Sequence, residues 1–274
     1  MSDKLTKIIA VLLLELMFLL AATSISNDSL TMDELAHLPA GYSYLVKQDM
    51  RLNPEHPPLI KDLAAIPLLF IRGINFPADS KDWKEDVNGQ WGFGNKLLFK
   101  SGNPATQMIF WGRIPMILVL LLLGVFIFKA TKEFFGNKTA LIALFFFSLS
   151  PTFLAHGRLV TTDVGAAFGA FTSIYFFLKA IRQPTAKNII LAGVFFGIAE
   201  LLKFSLILLI PFFIVIGLLW WIIKGDSLLN VVKILCAIFV IGGILIWPTY
   251  QFHVWNYPPE KQKADTQFIL SSFG

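Results

Sequence analysis

Two acids stand together at Asp33 and Glu34, about eight residues past the first long apolar run of this 274-residue chain. A carboxylate held at a lipid boundary, partly stripped of water, is a base that can take a proton from a hydroxyl group. Acids in the first turn of a helix also simply complement its dipole, so a structural role is open too. Further on runs Asn53-Pro54-Glu55-His56-Pro57-Pro58-Leu59-Ile60-Lys61. The double proline fixes the chain direction at a helix start, and Lys61 falls one turn inside, in reach of an anion near lipid headgroups. A lone lysine on a surface helix can equally snorkel.

The elements that must position these residues follow from composition. The chain is 55% hydrophobic and 15% charged, with a mean hydropathy of +0.67. Soluble domains carry roughly a quarter charged residues, so this chain cannot cover its apolar surface in water. A soluble enzyme, a nucleic-acid binder and a disulfide scaffold are excluded, and Cys236, being single, can form no intrachain bridge. Seven apolar runs are predicted as spans, at about 5 to 25, 107 to 130, 138 to 156, 160 to 181, 188 to 203, 204 to 223 and 230 to 250. Of 18 acids and 23 bases, 10 and 8 fall between Ser26 and Ala105, leaving 8 acids against 15 bases elsewhere. Those bases sit in short loops, the positive-inside pattern, with the amino terminus, Lys129 to Lys138, Arg182 to Lys187 and Lys224 to Lys233 cytoplasmic. The first run follows Lys4 and Lys7 and has no cleavage site after it, so it reads as a retained anchor.

This threading sends the segment 26 to 106, the turn at His156 to Asp163, the junction at Lys203 and the tail from Gln251 to the extracytoplasmic side. Nearly all the polar residues suited to chemistry share that face. Within the loop, Thr31 to Gln48 and Pro57 to Ile71 have apolar residues at helical spacing, predicting two amphipathic helices at the membrane surface, the first capped by Thr31 with Glu34 three residues on. Gly73 to Pro104 reads as an irregular excursion. Glu15, in the middle of the first run, is expected to pair with Arg113 in the second or to stay protonated. Glu200 and Lys203, one turn apart, are placed to bridge. Trp83, Trp91 and Phe93 could stack on a sugar or simply pack.

Asp33-Glu34 followed by His37, then Gly41-Tyr42, then His56-Pro57-Pro58-Leu59-Ile60-Lys61, resembles the first external loop of lipid-linked sugar transferases of the GT-C fold, such as the protein O-mannosyltransferases and the bacterial aminoarabinose transferases. His156-Gly157-Arg158-Leu159-Val160-Thr161-Thr162-Asp163 is a second match. Ala192-Gly193 through Gly197 to Leu202-Lys203-Phe204-Ser205 is a third. The resemblance covers about residues 5 to 250. It implies an all-α membrane protein of about seven transmembrane helices, with residues 1–250 as the catalytic module, the loop 26–106 carrying two juxtamembrane helices, and 251–274 as an extracytoplasmic tail at which the chain can be truncated. It implies Asp33, with Glu34 adjacent, as the catalytic carboxylate. Lys61, Arg158 and Lys203 become contacts of the donor phosphate, with His56 and Asp163 lining the cavity.

The expected activity is transfer of a mannose-like hexose or related sugar from a polyprenyl-phosphate donor to a hydroxyl of a protein, lipid or glycan, with inversion, on the outer face of a bacterial-type inner membrane. Membrane lipid is the expected surrounding and nucleic acid is not a partner. No cofactor is required and no dedicated metal site is expected, although a divalent cation near Asp33 is compatible with the chemistry. A polytopic transporter is the main alternative, but transporters place polar residues near the midplane, whereas here only Glu15 lies deep. Relatives carry additional spans, so a non-catalytic or truncated subunit of such a transferase is the second alternative.

Overall fold

The computed structural model describes residues 2–26, 28–225 and 227–272, and all regular structure among them is helical. The elements are α1 (Asp3–Ser24), α2 (Met32–Lys47), α3 (Leu59–Ala65) continued by a 3-10 turn (Ile66–Phe70), α4 (Lys81–Lys84), α5 (Gln90–Asn95) followed by a π turn (Lys96–Lys100), and α6 (Ala105–Phe135). They continue with α7 (Asn137–Ser148), α8 (Pro151–His156), α9 (Asp163–Arg182), α10 (Ala186–Leu202), a 3-10 turn (Phe204–Leu208), α11 (Leu209–Lys224), α12 (Leu228–His253) and α13 (Pro259–Ser271).

Every predicted apolar run becomes helical. Among the described residues five stretches are long and apolar enough to cross a membrane: α1, α6, α9, Phe204–Lys224 and α12. The third run breaks at Ser150-Pro151 into the 12-residue α7 and the short α8, and the fifth forms the 17-residue α10. Proline ends α7 because it cannot continue the preceding backbone hydrogen bonds. In the tail α13 spans Pro259–Ser271, while Phe273 and Gly274 lie outside the described residues.

The chain divides into two compact units. The first is a helical bundle built from Met1–Ala21, Leu118–Gly157 and Thr162–Pro248. Its core is aromatic, with Phe177 stacked on Phe213 at 4.1 Å and Phe176 on Phe195 at 4.4 Å. The second unit comprises Ala22–Ile117, Arg158–Thr161 and Thr249–Gly274. It therefore joins the long loop to a four-residue turn far along the sequence and to the tail.

At the centre of the second unit is α2. Thr31, in extended conformation, caps it, and its N–H donates to Glu34 Oε2 at 2.9 Å, as the sequence predicts. From Ala36 to Tyr44 every residue is buried, so the helix is enclosed around most of its circumference. Small residues at Ala36, Ala40 and Gly41 make that close packing possible. A Cβ on Gly41 would sit 2.1 Å from the Lys61 carbonyl oxygen of α3. Pro39 has no N–H for the Leu35 carbonyl, and α5 closes on that carbonyl so tightly that a Cβ on Gly94 would lie 2.0 Å from it. The excursion between α3 and α6 holds α4 and α5, around an aromatic knot of Phe76, Trp83 and Phe93.

Gly41→Ala is expected to force α2 from α3 and lower stability by about 1–3 kcal/mol, the range for overpacking. Gly243→Ala, where an added Cβ meets nothing within 4 Å, is the matched control and should leave the unfolding temperature in detergent unchanged. Equal melting of the two variants would show that the close crossing is relaxed.

Candidate active site

Glu34 and Arg113 form a fully buried ion pair, both side chains at 0% exposure. Arg113 Nε and Nη2 donate to the two carboxylate oxygens of Glu34 at 2.8 and 2.7 Å. Its remaining N–H groups reach the carbonyls of Ile25, Asp28 and Ser29 at 3.3, 3.1 and 2.9 Å. All five guanidinium donors are thereby used. Glu34 also accepts the Thr31 N–H and, at 3.1 Å, the Val160 N–H. Burial by itself would raise this carboxyl, but the Arg113 contact with the Thr31 and Val160 donors overcomes it and holds the pKa below the usual carboxylate value.

The expected pairing of Arg113 with Glu15 is therefore corrected. Arg113 serves the loop, and Glu15 lies exposed on α1 in an apolar setting that includes Val11, Phe18 and Leu121. Both oxygens of Glu34 are engaged, by Arg113, Thr31 and Val160. Asp33 is different. It is exposed, and among the described residues it has neither an ion-pair nor a hydrogen-bond partner. It stands one residue from a locked side chain, on a helix that is itself enclosed.

Beside it, His37 is buried and its Nδ1 donates to the Val160 carbonyl at 3.1 Å. Burial first, then the charge of Lys61, lowers the His37 pKa from 6.5 to about 4, so the ring is neutral at physiological pH. The His56 ring meets it edge-on with centroids 5.4 Å apart. Glu34 and His37, one turn apart on α2, thus grip the N–H and the C=O of the same distant residue, Val160.

Lys61 is not at a surface. Its side chain is fully buried, and its ammonium donates to Tyr44 Oη (2.9 Å), the carbonyls of Asn53 (2.8 Å) and His56 (2.8 Å), and Asn53 Oδ1 (2.7 Å). Burial, opposed by Glu55 and Asp62, lowers its pKa to about 7. Its three N–H groups thus face four protein oxygens in this arrangement. Lys61 closes the Pro-Pro loop on itself. Asn53 makes this possible by adopting the left-handed conformation (φ 53°), which asparagine tolerates, and its N–H is received by Asn88 Oδ1 at 2.8 Å.

Arg158 donates to the Ser24 carbonyl at 2.8 Å and to the Asp28 carboxylate, and stays partly exposed. Lys203 and Asp163 belong to the helical bundle, where they pair at 2.7 Å across the end of α10 and the start of α9. Lys203 therefore bridges to Asp163 and not to Glu200. Trp83 and Phe93 are buried in the aromatic knot, with the Arg51 guanidinium 4.2 Å above the Trp83 ring, so they pack. Trp91 is 40% exposed. Sequence reasoning missed the contact of His253 Nε2 with Asp62 at 2.8 Å, which fastens the tail to α3. A histidine after an apolar run offers no sign of such a partner.

An all-helical fold with five helices apolar enough to span a membrane among the described residues fits the GT-C class of membrane transferases. Residues 105–248, more than half of the chain, match the family described as dolichyl-phosphate-mannose-protein mannosyltransferase, and the chain belongs to that family. That stretch holds Arg113, Arg158, Asp163 and Lys203, while Asp33 and Lys61 precede it. No curated protein matches the sequence. The chain is similar in fold to the solved S. cerevisiae protein O-mannosyltransferase Pmt1-Pmt2 complex bound to the sugar donor, with a TM-score of 0.66 and 16% identity over 93% of this chain. It spans 34% of that solved chain.

Arg113→Met leaves Glu34 buried without its partner, which is expected to destabilise by about 3–5 kcal/mol. Adding Glu34→Leu should recover part of that loss in a double-mutant cycle on thermal unfolding, and strict additivity would disprove the coupling. The His37 shift predicts a pH dependence. The unfolded chain takes up this proton near pH 6.5 and the folded chain only near 4, so stability from this group is present above 6.5 and is lost as pH falls toward 4. The loss should total about 1–3 kcal/mol over that window. His37→Gln should flatten the unfolding temperature between pH 6.5 and 4.5, and an unchanged slope would contradict the assignment.

Proposed function

We propose that this chain carries the acceptor-activating site of a membrane glycosyltransferase that moves a sugar from a polyprenyl-phosphate donor to a hydroxyl acceptor on the extracytoplasmic face. The observation that carries the reading is the contrast between neighbours: Glu34 is buried and bonded to Arg113, while Asp33 is exposed and unpaired among the described residues. A rigid helix that commits one carboxylate to its own anchoring and leaves the next one free presents a base in a fixed position. Family membership supports the class of reaction, and the positive-inside pattern supports the face.

In this mechanism the Asp33 carboxylate accepts the proton of the acceptor hydroxyl. The acceptor oxygen attacks the anomeric carbon, the bond from that carbon to the phosphate oxygen breaks, and the electron pair leaves on the lipid phosphate. A phosphate is a good leaving group, so the site needs positive charge more than it needs an acid. Arg158, in the same unit as Asp33, partly exposed and held by one carboxylate, is the cation proposed for that role. With Glu34 committed, a divalent ion near Asp33 would find a single free protein carboxylate and would depend on substrate phosphate for further ligands, as Mg²⁺ sites commonly do. A mannose-like hexose is the proposed sugar. Single displacement predicts inversion at its anomeric carbon.

Asp33→Asn should lower turnover of a polyprenyl-phosphate sugar by about 10²–10⁴-fold, the usual worth of a general base. The fold should be retained, since among the described residues the Asp33 side chain makes no hydrogen bond or ion pair. Unchanged turnover, or a product of retained configuration, would refute the mechanism.

A further inference from the structure

Among the described acids of the helical bundle, Glu15 alone lies far from a helix end. In α1 (Asp3–Ser24) it is about 18 Å from the first residue and about 14 Å from the last, at 1.5 Å per residue. That is the middle of a hydrocarbon layer about 30 Å thick, too deep for a glutamate side chain to reach either surface. Glu15 is exposed, and among the described residues it makes no hydrogen bond or ion pair. The helix cannot turn it inward. Thr6, Ala10, Met17 and Ala21 take the packed side of α1. Beside Glu15, a Cβ on Gly124 of α6 would lie only 2.8 Å from the Leu14 side chain, and Asp3 pairs with Lys132 at 2.9 Å, so α1 is fixed against α6.

The surface around Glu15 has the shape of a helix seat. Ile8, Val11, Leu12, Phe18 and Leu19 are between 40% and 57% exposed and, with Glu15, recur at intervals of three and four residues, the stripe that a neighbouring helix covers. A groove of about 320 Å³ runs between α1 and α6, and Glu15 is the polar residue in a lining otherwise formed by Val11, Leu14, Phe18, Leu121 and Val125. Hydrocarbon offers a carboxylate no partner, and ionisable groups at this depth face protein or water and pair with one another. Charge says what the partner brings. Every lysine and arginine in the described helices of the bundle lies within about two turns of a helix end. A second copy of this chain, laid on the same face, therefore offers another Glu15 at that depth and no cation.

We propose that the outer face of α1 docks a transmembrane helix of another protein that carries a lysine or arginine at mid-depth, and that this cation pairs with Glu15. The apolar stripe supplies contact area, which any leucine-rich helix can match. Glu15 supplies the selection, because each charge is costly in lipid by itself and the cost is relieved only when the two meet.

The test places the whole chain, with a donor dye at its amino terminus, in phosphatidylcholine vesicles with acceptor-labelled leucine helices that differ only in a central lysine, glutamine or leucine. Energy transfer to the lysine helix should reach half-maximum at a peptide-to-lipid ratio about tenfold lower than for the other two, the scale of one interhelical polar contact. Glu15→Gln keeps the shape of an exposed, unbonded side chain and should remove that preference. Val11→Trp, on the same stripe, should weaken transfer to the lysine helix, whereas Val240→Trp, 61% exposed on α12, should not. Equal transfer to all three helices would overturn the proposal, as would a glutamine helix that matches the lysine helix or a lysine preference that survives in Glu15→Gln. Transfer between labelled copies of the chain that Glu15→Gln abolishes would overturn it too, by assigning the face to a second copy. None of these readouts depends on sugar transfer or on Asp33.

Discussion

The buried pair of Glu34 and Arg113 is the constraint on which the loop unit depends. Neither charge is exposed, so each is tolerable only because the other completes it and because backbone donors and carbonyls satisfy every remaining position. The guanidinium gathers three carbonyls of the turn that follows α1, and the carboxylate takes the N–H of Val160 from a segment over 120 residues away. Four separate stretches of chain are thereby tied to one point. The cap of α2 is part of the same arrangement, since Glu34 both closes the helix start and holds Arg113. A single residue thus connects local helix chemistry to tertiary structure.

The second tie is made by Lys61. Its ammonium lies at the centre of the Pro-Pro loop, bonded to four oxygens, and the tyrosine among them also donates to the Leu52 carbonyl. Asp62, the next residue, holds His253 after the last long helix. Two adjacent side chains of α3 therefore point inward to the loop and outward to the tail. The close approach of Gly41 to the Lys61 backbone fixes α3 on α2, so the loop, the tail and the helix that bears Asp33 act as one body.

The helical bundle is built on different physics. Lipid supplies no hydrophobic force between helices, so shape and dispersion must hold them, and the stacked phenylalanines of α9, α10 and α11 provide that contact. Its polar pairs, such as Lys203 with Asp163, sit at helix ends where charge is cheaper to hold.

The helical class, the membrane-protein class and the start of α2 at Thr31 were all legible in the sequence, because they follow from hydropathy and local capping, which act over one or a few turns. Arg113 was legible as a residue that must be paired, since a guanidinium in an apolar run cannot stand alone. Its partner was not. The choice between Glu15 and Glu34 depends on which segments meet, and periodicity carries no information about that. For the same reason the bonds of Lys61 to Asn53 were not legible, since they require a left-handed backbone at Asn53 seen only in three dimensions. The sequence by itself determined that two acids stand at a helix start beyond the first long apolar run. Only the tertiary structure decided which is spent on the fold and which is left free, because that depends on where Arg113 and Val160 arrive, and both come from distant parts of the chain.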